Sequence, residues 1–586
     1  MLLLPLLVWA TTGCSPPEFA EAPEITNHVE DWRDEILYQV IVDRFANGDV
    51  NNDFNVTGDE ADLARHLGGD WQGLMDRSDY LEALGVTALW ISPVVLNVEE
   101  DAGVAGYHGY WTQDFESTNP HFGDLAALRA LVEHMHERDI KVIVDIVVNH
   151  VGQAFYYDIN QNGQPDITAY YATDGSDELN LVTEWDPAYD PRRVQSFTSL
   201  GEAGEAPIQF VYMPEINRTP PLPRGFQDET WYNRRGRVTD WGDSEQVVYG
   251  DFPGGLKDLA TENPNVRAEL VAIFSDWITK TNIDGFRIDT VKHVEPDFWV
   301  EFCTAIRAHA AELGKENFLM FGEAFDGDDA LIGGYTQPGM LDAMVYFSQK
   351  YQVYDDVFQR GAATSRVAEL MALRAENYGA SPQEGGVGVS PAELTVNFID
   401  NHDVSRFLFE QPDTDALRLA LTYLMTQDGV PLIYYGTEQD FDGGNDPTNR
   451  EPLWWSGYDT DGETFQHVAR LSEVRRGSPA LRRGVTELLW TTDHTGDEED
   501  AGILAFERTD GEDGEDGEDT VLVALNVSET PSVTAYGGAA MAVSFPPGTT
   551  LVEIFPSDRE RSVVVESDGT VMIELAGRSG AVFVPL

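Results

Sequence analysis

The segment GFRID at 285–289 alternates apolar and charged residues. In a strand, alternate side chains share a face, so Arg287 and Asp289 point one way while Phe286 and Ile288 point the other. A cation beside a carboxylate favours the ionised form, which suits a nucleophile or a base. Alone, the pair reads as a structural ion pair. Two further carboxylates change that reading. Glu323 ends an apolar run at 318–322, and Asp403 follows another at 395–399, beside Asn401 and His402. Asn149 and His150 follow a third at 141–147. Two carboxyl groups across a sugar ring can hydrolyse a glycosidic bond. At a separation of ~5–5.5 Å, one is the nucleophile, the other the acid and then the base, and configuration is retained. The acid must be held protonated. Glu323 lies between Phe321 and Phe325, which offer it an apolar setting.

These residues need a scaffold that gathers strand ends. Strand patterns occur at 36–42, 87–91, 141–147, 285–288, 318–322, 341–346, 395–399 and 430–435. Helical patterns separate most of them, such as 124–138 with Leu125, Leu128, Leu131 and Val132 on one face. Eight strands with intervening helices imply an α/β fold, a parallel sheet closed into a TIM (β/α)8 barrel. Its C-terminal strand ends converge on one face, so the polar residues above share one site. Between His150 and about Asp251 the chain is rich in Gly, Pro, Tyr and Asp. A connection that long is a subdomain inserted after strand three. Beyond about Pro479 the helical pattern stops, and 521–526, 550–555 and 562–565 read as strands of a C-terminal antiparallel β-sandwich. The expected division is a signal at 1–14, a Pro-, Glu- and Ala-rich linker at 15–30, the barrel at 31–150 and 252–478, the insertion at 151–251 and the β domain at 479–586. The run DGEDGEDGED at 510–519 reads as a solvated hairpin tip.

Composition narrows the partners. Hydrophobic residues make up 42% and aromatics 11%, enough for a sizeable core. Asp and Glu total 102 against 37 Lys and Arg, a net charge of −65. Such a surface repels nucleic acid and anionic membranes. Lysine is confined to positions 141, 257, 280, 292, 315 and 350. The bias reads as plain solubility or as adaptation to high salt, where screening relieves self-repulsion. The start MLLLPLLVWATTGCSPPE reads as an export signal, not a span. Thr12-Gly13-Cys14 resembles a bacterial lipoprotein cleavage site, which would place a lipid anchor on Cys14 and the protein outside the cell or on its envelope. The alternative is an ordinary signal with a chance Cys. Cys303 follows Phe298, Trp299 and Phe302 and reads as a core residue. No transmembrane span and a monomer are expected.

The motifs DIVVNH at 145–150, GLKDL at 255–259, GFRIDTVKH at 285–293, GEAF at 322–325 and FIDNHD at 398–403 resemble those of the α-amylase family of glycoside hydrolases. GYHGYW at 106–111 and GGNDPTNRE at 443–451 are similar to the fungal-type and related bacterial members. The resemblance implies that Asp289 is the nucleophile, Glu323 the acid/base and Asp403 a carboxylate that binds sugar hydroxyls. It implies that Arg287 orients Asp289, that His150 and His402 hydrogen-bond the sugar, and that Tyr110 stacks on it beside Trp111. Asp446 and Arg450 would hold the next glucose, and Lys292 would reach the leaving-group side. The substrate implied is an α-1,4-glucan such as starch, glycogen or maltooligosaccharides.

The resemblance also implies a structural Ca²⁺ held by Asn149, Asp251 and the His293 carbonyl, with Asp240, Asp243 or Glu245 as a fourth ligand. FANGDVNND at 45–53 with GGDW at 68–71 is similar to a second calcium loop, whose ligands would be Asn47, Asp49, Asn52, Asp53, Gly68 and Asp70; the alternative is an Asn/Asp-rich turn. DINQNGQPD at 158–166 starts like a third, but Ala169 stands where an EF-hand has Glu, and a turn is expected. Two rival functions remain. A non-catalytic relative would lack one of the three carboxylates, and all three are present. A transglycosylase or cyclodextrin-handling enzyme of the same family shares the chemistry and differs in the acceptor.

The charge bias has a measurable consequence. The thermal unfolding midpoint rises between dilute buffer and molar NaCl; an unchanged or lower midpoint in salt refutes adaptation to it.

Overall fold

The computed structural model describes residues 23–586 apart from 102, 159–160, 162, 164–165, 172–178, 186–196, 198–204, 253–254, 512–518 and 558–560. The expected signal with Cys14, residues 15–22 of the linker and most of the 510–519 tip lie outside the described residues.

Eight parallel strands form the centre: β1 (Leu37–Val40), β2 (Ala88–Ile91), β3 (Lys141–Ile146), β4 (Gly285–Ile288), β5 (Leu319–Gly322), β6 (Ala343–Met344), β7 (Val396–Phe398) and β8 (Val430–Tyr434). The hydrogen-bonded order is β6-β5-β4-β3-β2-β1-β8-β7. A parallel bridge from Val345 to Val396 joins the two outer strands, so each strand lies beside its chain neighbour around the expected barrel. The strands are buried on both faces, which is why they read as continuous apolar runs. They are shorter than those runs, because apolar residues continue into the packed loops.

Local signals set the helices. In α1 (Leu125–His136), the Asp124 carboxylate caps the N-terminus by accepting from the Ala127 N–H at 2.9 Å. Its Leu128, Leu131, Val132 and Met135 are buried. α2 (Pro264–Thr281) starts with an Asn263 cap and Pro264, and stops at Asn282 in the left-handed region. α3 (Pro296–Glu312) buries Cys303, a free thiol.

The chain leaves the barrel after β3 and returns to it through α2. His150–Val151 pairs antiparallel with Lys257–Asp258, which staples the exit of the insertion to its return. Inside it, Phe155–Tyr157 pairs with Ile208–Phe210 and Asp166–Tyr171 with Leu179–Trp185. A short helix, Ser244–Tyr249, also forms there, where the sequence shows little helical periodicity.

The C-terminal sheet holds β9 (Val485–Trp490), β10 (Ile503–Asp510), β11 (Asp519–Asn526), β12 (Thr550–Phe555), β13 (Ser562–Val564) and β14 (Ser579–Pro585), in the order β9-β10-β11-β14-β12-β13. Alternation along β10 and β11 divides their side chains. Ile503, Ala505, Leu522 and Ala524 pack with Met541 and Val571 of smaller antiparallel strands and with Ile573 between two of them, completing a sandwich. Leu504, Phe506, Val523 and Leu525 face the barrel and join its core. Each such buried Leu, Val or Phe contributes roughly 1.5–3 kcal/mol, so the two units hold each other in place.

At the N-terminal end of β4, Asp284 ties the barrel floor together. Its carboxylate accepts from the Val142 N–H at 2.9 Å, pairs with Lys315 Nζ at 2.8 Å and lies 2.7 Å from His136 Nε2. Burial opposes ionisation, yet Lys315 and His136 hold this carboxyl well below the usual range. A depressed carboxylate stabilises the fold above its unfolded-state pKa, and that contribution is lost as pH falls through its folded-state pKa. Asp284→Asn strands a buried ammonium and is expected to cost about 3–5 kcal/mol at pH 7. A denaturant midpoint close to the parent's would refute this.

Candidate active site

The parallel register of β3 and β4 sets Arg287 opposite Asp145. Arg287 is fully buried. Its Nη1 lies 3.0 and 2.9 Å from the two Asp145 oxygens and 2.9 Å from Asp289 Oδ1. Its Nη2 meets the Glu323 carboxylate. One guanidinium thus touches three carboxylates from the C-terminal ends of β3, β4 and β5.

The backbone explains that convergence. Asp289 and Glu323 are the first residues past β4 and β5, and each still donates to the neighbouring strand: Asp289 N–H to Ile146 O and Glu323 N–H to Ile288 O, both at 2.9 Å. The ladder therefore extends to the carboxylate-bearing residues themselves. Asp403 stands on the turn after β7. There Asn401 Oδ1 accepts from the N–H groups of Asp403 at 2.8 Å and Val404 at 3.1 Å, an Asx arrangement that fixes the turn.

Asp145 is absent from the site residues expected from sequence, although it opens the DIVVNH motif. It also accepts from Trp90 Nε1 at 3.1 Å and from the Tyr110 hydroxyl at 2.8 Å. Burial and the neighbouring Asp289 push its carboxyl up to about 6, against the pull of Arg287. The signal that could have found it is strand alternation combined with register, since a buried Asp across from a buried Arg needs that partner.

His402 connects the floor to Asp403. Its Nε2 lies 2.9 Å from the Tyr110 hydroxyl and 2.9 Å from Asp403 Oδ2, and Gln39 Nε2 holds its Nδ1 at 2.5 Å. The rings of Tyr110 and His402 lie parallel, 5.4 Å apart. Arg450 reaches Asp403 Oδ1 at 3.4 Å and Asp446 Oδ1 at 3.0 Å. Burial opposes ionisation of Asp403, but His402, Arg450 and Arg287 hold its carboxyl well below the usual range. His150 stands across the cleft, its Nε2 3.2 Å from the Tyr110 carbonyl, and burial lowers its pKa.

Glu323 departs from expectation. Phe321 is buried against Trp90, but Phe325 is 43% exposed and packs on Phe347. The carboxylate contacts a cation rather than an apolar wall, because the register sets Arg287 beside Phe321, two residues before Glu323.

Above this floor opens a cleft of about 740 Å³. Asp289, Glu323, Asp403, Tyr110, Trp111, His150, Lys292, His402, Asp446 and Arg450 line it, while Arg287 lies beneath. Lys292 Nζ is held by the Phe325 carbonyl and Asp326. Trp241 of the insertion and Phe252, just past it, complete one wall. The sequence offered no periodic signal for these two, since they sit in irregular chain.

The calcium ligands expected from sequence differ in how far they are already paired. Asp251 is occupied: its Oδ2 takes the Lys257 ammonium at 3.0 Å and the Tyr157 hydroxyl at 2.9 Å, and its Oδ1 accepts from the Asp258 N–H at 3.2 Å. Lys257 thus neutralises Asp251, whereas Asp258 is not fully paired. Its Oδ2 accepts from Asn233 at 2.7 Å, but its Oδ1 is buried with no hydrogen-bond partner. Burial and the nearby Asp251, Glu295 and Glu262 push this carboxyl well above the usual range. The staple places Asp258 opposite His150, next to Asn149. A divalent cation fits this donor set. His293 lies on the turn Val291–His293, its ring held by the Val247 carbonyl at 2.8 Å. The candidate fourth ligands have other partners: Asp240 accepts from Gly242 N–H, Asp243 caps the helix Ser244–Tyr249, and Glu245 pairs with Arg235.

In the other loop, Asn47 Nδ2 donates to both oxygens of Asp53, at 2.9 and 3.0 Å. Gly68 has φ +97°, and a Cβ there would meet Asn47 and Asp53 at 2.7 and 2.8 Å. Asp70 is saturated by the N–H groups of Gly48, Asp49 and Gly73 and by Asn52 Nδ2. Asp49 accepts from Asn51. These contacts form an Asn/Asp-rich turn, within which Asn52 Oδ1 is buried with no hydrogen-bond partner. At 158–166, Asp158 Oδ2 accepts from Gly163 N–H at 3.0 Å, a turn contact; residues 159–160, 162 and 164–165 lie outside the described residues.

Fold and cleft together define a class, the barrel glycoside hydrolases with facing carboxylates at strand ends. A model of the alpha-amylase catalytic domain matches residues 39–474. The chain belongs to the alpha-amylase family. An alpha-amylase of Streptomyces lividans is 30% identical over 639 residues, covering 99% of this chain and 65% of its own length. The chain thus spans less than two thirds of that relative. A cyclomaltodextrin glucanotransferase of Thermoanaerobacterium thermosulfurigenes is 28% identical, covering 97% of this chain and 70% of its own length. The crystal structure of an Anoxybacillus alpha-amylase is 28% identical, with a TM-score of 0.69 over 94% of this chain and 98% of that one.

Proposed function

We propose that the protein is a retaining, endo-acting α-amylase that hydrolyses α-1,4-glucosidic bonds in starch, glycogen or maltooligosaccharides. The observation that carries the reading is the grouping of Asp289, Glu323 and Asp403 at the base of one open cleft, with Arg287 beneath. Arg287 pairs with Asp289 at 2.9 Å and orients it for attack on the anomeric carbon. Glu323 gives its proton to the departing glycosidic oxygen and later takes one from water. Asp403, kept anionic by His402 and Arg450, accepts hydroxyl hydrogen bonds from the ring. Tyr110 offers an aromatic face to a sugar, and His150 and His402 offer polar edges. An open cleft admits an internal stretch of chain, which suits endo attack.

The same site serves a glucanotransferase if a sugar replaces water as acceptor, and a cyclomaltodextrinase if the glucan that water cleaves is cyclic. The similarity to a cyclomaltodextrin glucanotransferase keeps that reading in view. Incubation with soluble starch and with maltoheptaose separates the two. Linear maltooligosaccharides of mixed length are expected; cyclic products, or chains longer than the substrate, would sink the hydrolase. Asp289→Ala is expected to lower turnover on the order of 10⁴-fold or more.

Asn149, Asp258 and the His293 carbonyl would hold a structural Ca²⁺ that ties the insertion to the barrel. Asp258→Asn is expected to abolish the gain in thermal midpoint on adding Ca²⁺. Asp251→Asn, which strands Lys257, lowers the midpoint with and without the ion. Equal Ca²⁺ gains in both variants would return the assignment to neither residue. The apolar leader at 1–14 supports export, with Cys14 as the site of a lipid anchor.

A further inference from the structure

Outside the cleft, side chains from three separate loops meet at one point. His66 precedes the Gly68 turn, Glu99 follows the strand Val95–Asn97, and His121 precedes α1. A ring nitrogen of each histidine and a carboxylate oxygen lie within 4.8 Å of one another. His121 Nε2 is 3.1 and 3.2 Å from the Glu99 oxygens, and His66 Nε2 is 3.9 Å from Glu99 Oε1. The imidazole rings stack at 3.6 Å and 12°, so both present Nε2 to the same carboxylate.

His66 is the telling residue. It is 2% exposed, and neither ring nitrogen makes a hydrogen bond. A buried polar group without a partner demands an explanation, and an ion is one. Its Nδ1 lies 3.5 Å from Asp43 Oδ1, itself fully buried. A carboxylate behind one imidazole nitrogen orients the other toward a metal.

We propose that His66, Glu99 and His121 form a transition-metal site of the zinc class, distinct from the oxygen-lined calcium positions. Two imidazoles and one carboxylate suit Zn²⁺ and leave a fourth place for water, whereas Ca²⁺ prefers oxygen ligands. Glu99 leads through the strands Glu100–Asp101 and Val104–Ala105 into the cleft-lining residues Tyr107 and Tyr110. The ion would pin that segment to the His66 loop and to the start of α1, a structural role.

The test uses the full-length protein, stripped with a chelator and re-equilibrated in excess Ca²⁺, which fills oxygen sites and masks the acidic surface. Co²⁺ and then Zn²⁺ are titrated in. One equivalent of Co²⁺ is expected to bind with the strong visible absorption of four-coordinate nitrogen and oxygen ligation, to be displaced by Zn²⁺, and to raise the thermal midpoint. Glu99→Gln and His121→Gln, each melting normally without metal, are expected to weaken Co²⁺ by about 10-fold or more. Only the weak absorption of six-oxygen coordination, or a binding curve that neither substitution shifts, would overturn the site. If a variant fails to fold, the spectrum of the unsubstituted protein still decides.

Discussion

The guanidinium of Arg287 has no exposed surface and meets Asp145, Asp289 and Glu323 at once. Removing an arginine from water costs several kcal/mol unless its charge and its donors are matched. Three carboxylates crowded under a cleft would also repel one another without it. Each side therefore makes the other tolerable. The surplus of negative charge shows in Asp145, whose carboxyl is raised even in contact with the cation. Trp90 and Tyr110 supply the neutral donors that finish the network. Closed-barrel register is what brings these groups within about 3 Å, so the fold and the chemistry depend on one contact.

The same segment shows how position decides the use of a residue. Asp284 and Asp289 flank β4, five residues apart on one chain. Asp284 sits at the N-terminal end, paired with Lys315 and His136, with no access to the cleft. Asp289 sits at the C-terminal end and lines it. In a parallel barrel the first end carries stability and the second carries chemistry.

The charge imbalance is larger at the surface than in the composition. None of the six lysines is exposed, and each is ion-paired, with Glu35, Asp251, Asp276, Asp326, Asp284 or Asp355. Arg44, Arg287, Arg406, Arg475 and Arg508 are among the largest fully buried side chains. Much of the basic complement thus works inside the fold, where it organises backbone carbonyls and buried acids. The outer surface is dominated by Asp and Glu, with arginines such as Arg77, Arg360 and Arg366 exposed among them, and salt acts directly on it.

The sequence by itself determined the barrel, the insertion and the C-terminal sheets, because strand and helix periods and long irregular gaps are local patterns. It also determined the three carboxylates, since strand-end positions follow once the barrel is known. Tertiary structure alone decided which groups touch. Asp145 entered the site through register, Glu323 met a cation instead of an apolar wall, and Trp241 and Phe252 reached the cleft from irregular chain. Asp251 pairs with Lys257, only six residues away, and Asp258 keeps an oxygen without a hydrogen-bond partner. His66, Glu99 and His121 lie in three unrelated stretches and form no motif. Distances between residues far apart in sequence are set by packing and hydrogen-bond register, and no local pattern encodes them.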